Sequence, residues 1–342
     1  MGLPRSKYVQ EGQEGYYHCF SRCVRRAFLC GYDPVTNRDY SHRKDWIVDR
    51  LIFLSGIFAI DVCAFAVLAN HLHNLLRTRP DIAAAWSDYE VAMRWLKLCP
   101  RKPRSKKKPL PSLEDQINAL LASPERIALL RKRLCSISWF MGRLNEFIAR
   151  AANAEDKVKG RFWESRFKCQ VLLDDIATIA CMAYVDLNII RAGLAATPED
   201  SDFTSIQLRI RAWKKNNMQP TTTQSSPTIS SQENPQVDSW LCPITSDPQR
   251  HGILNMSETQ YFQLVDQSGR LLRQDKRGSI HPDLAPILSR IGAKPDAWID
   301  TISRFGSIFR LAAGSLANLR NFANKIGVQR LMGASAARVA FT

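Results

Sequence analysis

The stretch from Leu51 to Arg77 constrains the fold more than any other part of this chain. Twenty residues, Leu51 to Asn70, are apolar except at Ser55, Gly56, Asp61 and Asn70. That is long enough to span a bilayer as a helix. Asp61 at its middle, however, would cost about 2.5–3.5 kcal/mol on insertion. The run divides better into a helix end that stops near Gly56 and a β-rich buried strand, Ile60 to Leu68. Asn70 then turns the chain tightly, and His71 to Arg77 returns as the antiparallel neighbour. Successive strand side chains point to opposite faces, so His71 and His73 share one face while Leu72 anchors the other. Two imidazoles placed in this way can converge on one divalent cation, in a site expected to be rigid and half exposed.

The flanking segments extend the pattern. Tyr16 to Cys23 alternates apolar and polar residues as a half-buried strand does. Ser41 is placed to cap a helix through Trp46, Val48, Leu51, Ile52 and Leu54. Strand, helix, strand, strand is half of a ferredoxin-like sheet. A helical insertion over about 80–155 follows, with helices expected at Pro80–Leu98, Ser112–Ala122 and Pro124–Ala152. Six of the eight residues from Arg101 to Lys108 are basic. Such a run stays solvated, either as a solubilising linker or as a phosphate-gripping loop. Gly160 to Leu173 resumes strand character, and Asp174 caps a helix from Asp175 to Arg191 that Gly193 ends.

Forty-eight Lys and Arg against 32 Asp and Glu leave a net charge of +16, which suits a polyanionic partner such as nucleic acid. Arg22, Arg161, Arg166, Lys168 and Arg191 are the candidate DNA-binding cations. Phe162, Trp163 and Phe167 lie among them, either to stack on unpaired bases or simply to fill the core. Nine cysteines without a Cys-x-x-Cys pair argue against a zinc ribbon and for reduced thiols in the cytoplasm. No apolar leader opens the chain, and no membrane partner is expected.

After residue 208 the composition changes. Residues 209–237 read as a polar linker rich in Ser, Thr, Gln and Pro. Residues 238–342 read as a small helical accessory domain. Helices are expected after a Ser257/Gln260 capping box, at Asp283–Ile291 and at Trp298–Leu311. DNA binding and packing or dimerisation are both open as its role, so a homodimer remains possible.

Tyr184 and Asn188 lie four positions apart on the helix after Asp174 and share a face, with Arg191 on nearly the same side. A tyrosine hydroxyl, with an ordinary pKa of about 10, needs a nearby cation to act as a nucleophile at neutral pH. A metal on His71 and His73 would provide one, and Asn188 offers an uncharged oxygen ligand. Such a set tolerates Mg²⁺ or Mn²⁺. Tyr184 could equally pack the helix on the sheet. His18 is either an accessory group or a structural one, and Asn74 either supports a ligand or is an edge residue.

Taken in order, YYHCFSRC, VLANHLHNLL, GRFWESRFK and YVDLNIIRAGL resemble the IS200-like single-tyrosine transposases, particularly the REP-associated branch. The resemblance covers about residues 14–208 and leaves the C-terminal third unexplained. Ala69 and Ile189 stand where many relatives have proline. The resemblance implies an α+β fold, a ferredoxin-like antiparallel sheet with helices of the HUH type, and a catalytic domain over 14–208. It assigns metal binding to His71, His73 and Asn188 and nucleophilic attack to Tyr184. The activity implied is metal-dependent cutting and rejoining of single-stranded or hairpin DNA through a 5′-phosphotyrosine. A related nickase for replication or conjugation is one alternative, although no phosphate-binding G-x-x-x-x-G-K-[ST] loop is present. A catalytically idle DNA-binding regulator is the other.

Overall fold

The computed structural model describes residues 3–24, 29–101, 103, 110–218, 240–246, 251–273 and 295–341. The chain runs through β1 (Gly15–Arg22), a small ribbon of β2 (Tyr32–Asp33) and β3 (Arg38–Asp39), α1 (Arg43–Ser55), β4 (Ile60–Val67) and β5 (His71–Thr78). An all-helical stretch follows: α2 (Pro80–Ala85), α3 (Asp88–Leu98), α4 (Leu113–Leu121), α5 (Pro124–Arg133) and α6 (Ile137–Glu155). Next come β6 (Lys168–Leu172), α7 (Asp175–Asp186), α8 (Asn188–Arg191), α9 (Ser205–Met218) and α10 (Glu258–Arg273). The last elements are α11 (Pro295–Ile308), β7 (Ala312–Ala313), α12 (Leu316–Ile326) and α13 (Ala334–Ala340).

The main sheet has the order β4-β5-β1-β6-β7. Its four long strands follow the ferredoxin-like order, with the first strand lying between the third and the fourth. The fold is α+β, with α2 to α6 inserted between β5 and β6. Among the described residues no helix is long and apolar enough to cross a membrane. The apolar run resolves into the end of α1 and β4, and Arg79 Nη1 binds Asp61 at 3.2 Å. The carboxylate that argued against a bilayer span is therefore an ion-pair partner at a strand end.

Contacts divide the chain into two compact units. The first comprises Met1–Asp61, Ala69–His71 and Leu76–Val171. Here Arg43 is 1% exposed, and its guanidinium binds Glu155 at 2.6 Å and also Asp156, tying α1 to α6. Phe58 meets Phe140 edge to face. The expected cap at Ser41 is replaced, because its N–H and hydroxyl both donate to Asp39 and the helix starts one residue after His42. The helix expected over Pro80–Leu98 breaks at Trp86, which is extended, and restarts through a reciprocal Ser87/Glu90 capping box. Likewise Pro124–Ala152 is two helices, α5 and α6, separated by Leu134–Ser136. Of the expected strand Gly160–Leu173, only Lys168–Leu172 is ladder, together with a single bridge from Cys23 to Trp163. Most of the basic loop at 101–108 and all of Asp283–Ile291 lie outside the described residues.

The second unit comprises Val62–Leu68, Leu72–Leu75 and Leu172–Thr342. At its centre Asp186 is completely buried and accepts from Ser205 Oγ at 2.5 Å, Tyr261 Oη at 2.6 Å and the Ile206 N–H at 3.0 Å. One carboxylate thus joins α7, α9 and α10, and α9 carries the chain as helix through Met218. Arg209 donates to the carbonyls of Cys63 at 2.9 Å and Cys242 at 2.7 Å. Asp174 caps two helices. Its Oδ1 accepts the Ala177 N–H at 3.0 Å, while Oδ2 accepts the Ser315 N–H at 2.7 Å and Asn318 Nδ2 at 2.9 Å. The Leu173 N–H donates to the Ala313 carbonyl at 2.9 Å, which extends the sheet by β7. The Ser257/Gln260 capping box opens α10 as expected.

Candidate functional site

β5 carries the histidine pair at alternate positions, so strand geometry gives both side chains one face. The surroundings of the two differ. His73 is only 4% exposed, against the half-exposed setting expected. His71 is partly exposed, with Nδ1 at 2.6 Å from Asn70 Oδ1. That contact engages one ring nitrogen and orients the other away from it, an arrangement common for metal-binding imidazoles.

Within the second unit, His73 meets Tyr184 edge-on, ring centroids 5.6 Å apart and planes at 89°. Tyr184 is half-buried near the end of α7. Leu187 interrupts the helix, and α8 begins at Asn188. The expected single helix to Arg191 is thus two segments, yet the Arg191 N–H still donates to the Leu187 carbonyl and the Ala192 N–H to that of Asn188. Gly193 takes the left-handed conformation at φ +72, as the end of the helix requires. Arg191 places its guanidinium carbon 5.0 Å from the Tyr184 ring centroid. Its Nη1 lies 3.4 Å from Asn188 Oδ1. His73, Tyr184, Asn188 and Arg191 are therefore assembled from a strand and a helix more than a hundred residues apart.

Asn188 is 6% exposed, and its Nδ2 has no hydrogen-bond partner among the described residues. A buried polar atom left unpaired costs about 1–3 kcal/mol. Turning the amide by 180° would put its oxygen in that position, and amide orientation is assigned from partners rather than seen. The bond to Arg191 is long and weakly opposes such a turn. Within the second unit, His73 and a turned Asn188 are side chains whose atoms could serve a divalent cation. No cluster of three or more His, Cys, Asp or Glu with metal-binding geometry occurs among the described residues.

The five candidate DNA-binding cations, Arg22, Arg161, Arg166, Lys168 and Arg191, are all exposed. The aromatics beside them are not free to stack. Phe162 and Phe167 are buried, and Trp163 donates its indole N–H to the Asn145 carbonyl at 2.8 Å. Arg5 sits over the Phe167 ring at 3.9 Å. Of the two readings of this segment, aromatics in the core and charges in water is the one observed. His18 is completely buried, its Nδ1 lies 3.1 Å from Gln170 Oε1, and its ring stacks on Phe20. Burial pushes its pKa down to about 4, so it is a neutral structural group. Asn74 is completely buried rather than an edge residue.

Two further neighbours of the tyrosine lie on α11, more than a hundred residues along the chain. Phe305 packs against the Tyr184 ring with centroids 5.8 Å apart. Gly306 lies against the hydroxyl so closely that a Cβ there would come 2.9 Å from Oη.

No family model and no curated protein matches this chain. Among solved structures it is similar to one described as a REP-associated tyrosine transposase bound to a REP hairpin, at 10% identity and a TM-score of 0.36. That match covers 68% of this chain and 98% of the other.

Proposed function

We propose that this chain is a metal-dependent single-strand DNA transferase that cuts and rejoins hairpin-flanked DNA with Tyr184 as nucleophile. The observation that carries the reading is the approach of His73 and Arg191 to one half-buried tyrosine, with Asn188 beside Arg191. Phosphoryl transfer needs a nucleophile with positive charge beside it, and Arg191 supplies that charge to Tyr184. Tyr184 Oη would attack phosphorus, forming an Oη–P bond as the P–O3′ bond breaks. The phenolic proton leaves to solvent or base, and the departing 3′-oxygen gains one, giving a 5′-phosphotyrosine and a free 3′-hydroxyl. The ester keeps the phosphodiester energy, so a second 3′-hydroxyl can reverse the step and join strands without ATP. His71, His73 and a turned Asn188 would hold Mg²⁺ or Mn²⁺, which when bound polarises a non-bridging phosphate oxygen. Arg191 lies against the phenol ring and would offer charge to the phosphate. Arg22, Arg161, Arg166 and Lys168 supply exposed cations for the backbone.

The test is a labelled hairpin with single-stranded flanks, incubated with Mg²⁺ and run on a denaturing gel. A covalent adduct is expected with the wild type and with none of Tyr184→Phe, His73→Ala or wild type in chelator. An adduct that survives Tyr184→Phe removes Tyr184 as nucleophile. Hairpin binding without any adduct would favour the idle regulator.

A further inference from the structure

After Asp300 the chain carries six Arg or Lys and no Asp or Glu. Three of these, Arg320, Arg330 and Arg338, line one cleft of about 350 Å³ formed by α12, α13 and the loop between them. All three are exposed. Arg320 and Arg330 form no ion pair or hydrogen bond among the described residues. The buried Leu319, Ala323 and Leu331 line the same cleft, beside the polar Asn324 and Gln329. A cleft of this size is near the small end of ligand sites, about 300–1,000 Å³. It suits one flat ring system rather than an extended ligand.

Arginines beside apolar side chains match an unpaired nucleobase whose flanking phosphates lie on the arginines, the base held by apolar contact since no aromatic among the described residues lines the cleft. Duplex DNA fits poorly, since its bases are already paired and stacked. An acidic peptide would satisfy the arginines but leave the apolar side chains uncovered. A run of aromatic contacts leads from the tyrosine towards α13. Rings run from Tyr184 to Phe305 at 5.8 Å, to Phe309 at 5.1 Å and to Phe341 at 5.8 Å, where α13 ends. We propose that the α12–α13 cleft is a second, accessory site for single-stranded DNA, which holds one unpaired base on Leu319, Ala323 and Leu331 and its phosphates on Arg320 and Arg330.

The choice of DNA as occupant rests on the reading of the chain as a DNA-processing enzyme, so the test excludes the chemistry of that reading. Full-length Tyr184→Phe protein is titrated with a fluorescent single-stranded oligonucleotide in chelator, across a range of salt. Each phosphate contact on a single strand contributes about 0.7 to the slope of log K against log salt. Arg320→Glu with Arg330→Glu should therefore lower the slope by about 1.4 and weaken binding at least tenfold. Ala334→Phe, which fills the cleft from a partly exposed position, should weaken binding with the slope unchanged. Far-UV circular dichroism establishes that each variant is folded. Unchanged affinity and slope in the double variant overturn the proposal. So does a duplex of equal length, or a glutamate oligomer of equal charge, that binds as tightly as the single strand. Arginine-dependent binding here, together with no adduct from the wild type in Mg²⁺ on any hairpin, would sink the cutting reading and leave this one standing.

Discussion

Acidifying the protein should weaken it through His18 in particular, and the size of the effect follows from where that ring sits. His18 is completely buried, with Nδ1 at 3.1 Å from Gln170 Oε1. Burial lowers its pKa from 6.5 to about 4, more than the bond to Gln170 raises it. The unfolded chain therefore takes up a proton near pH 6.5 that the folded chain refuses until about pH 4. A depressed folded-state pKa means that the stability is present above pH 6.5 and lost as the pH falls towards 4. At about 1.36 kcal/mol per unit, the loss is roughly 2.5 kcal/mol between pH 7.5 and 4.5, and about 3.4 kcal/mol below both values. The assay is urea unfolding at the two pH values for the wild type and for His18→Asn, which keeps an N–H donor without titrating in this range. Carboxylates that titrate over the same interval are common to both proteins and cancel in the difference. The wild type should lose about 2.5 kcal/mol more than the variant. Equal losses would mean that His18 is charged or solvated in the folded state and would refute the argument.

Two other expectations concern the packing around Tyr184. In Gly306→Ala the new methyl would come 2.9 Å from Tyr184 Oη but 3.5 Å from Cζ, so the clash is with the hydroxyl. Overpacking of this kind costs about 1–3 kcal/mol, and most of that cost should vanish in the Tyr184→Phe background. A double-mutant cycle by thermal unfolding measures this, and simple additivity would show that the two residues are not in contact. Asp186→Ala strands the Tyr261 hydroxyl and the Ile206 N–H in the core, while Ser205 keeps its contacts with the Phe65 backbone. A loss of about 3–5 kcal/mol is expected, with a smaller one for Asp186→Asn, which keeps an acceptor. Wild-type stability in Asp186→Ala would mean that α9 and α10 do not depend on this carboxylate.

What was legible in the sequence was what local periodicity encodes. The strand–turn–strand of β4 and β5 follows from an apolar run bounded by Asn70, and half of a ferredoxin-like sheet from the elements around it, while the order of the strands is seen only in the fold. Helix boundaries were readable where a cap is unique, as at Asp174 and Gly193. They were misread where two candidates compete, as when Asp39 captures Ser41 or when Ser87 and Glu90 restart a helix inside an apparently continuous pattern. Burial of the aromatics at 162–167 was the plainer of two readings, and the composition around them could not separate the two.

The cover over Tyr184 was not legible, because a contact between α7 and α11 has no local signature. A helical glycine costs about 1 kcal/mol relative to alanine, but a Cβ at Gly142 inside α6 would meet nothing within 4 Å, so the close contact at Gly306 is not readable from the glycine alone. Only the fold could identify it as the hydroxyl of the tyrosine proposed to attack DNA, and Gly306 is thus the position where packing of the C-terminal helices and the proposed chemistry can be perturbed by one methyl group.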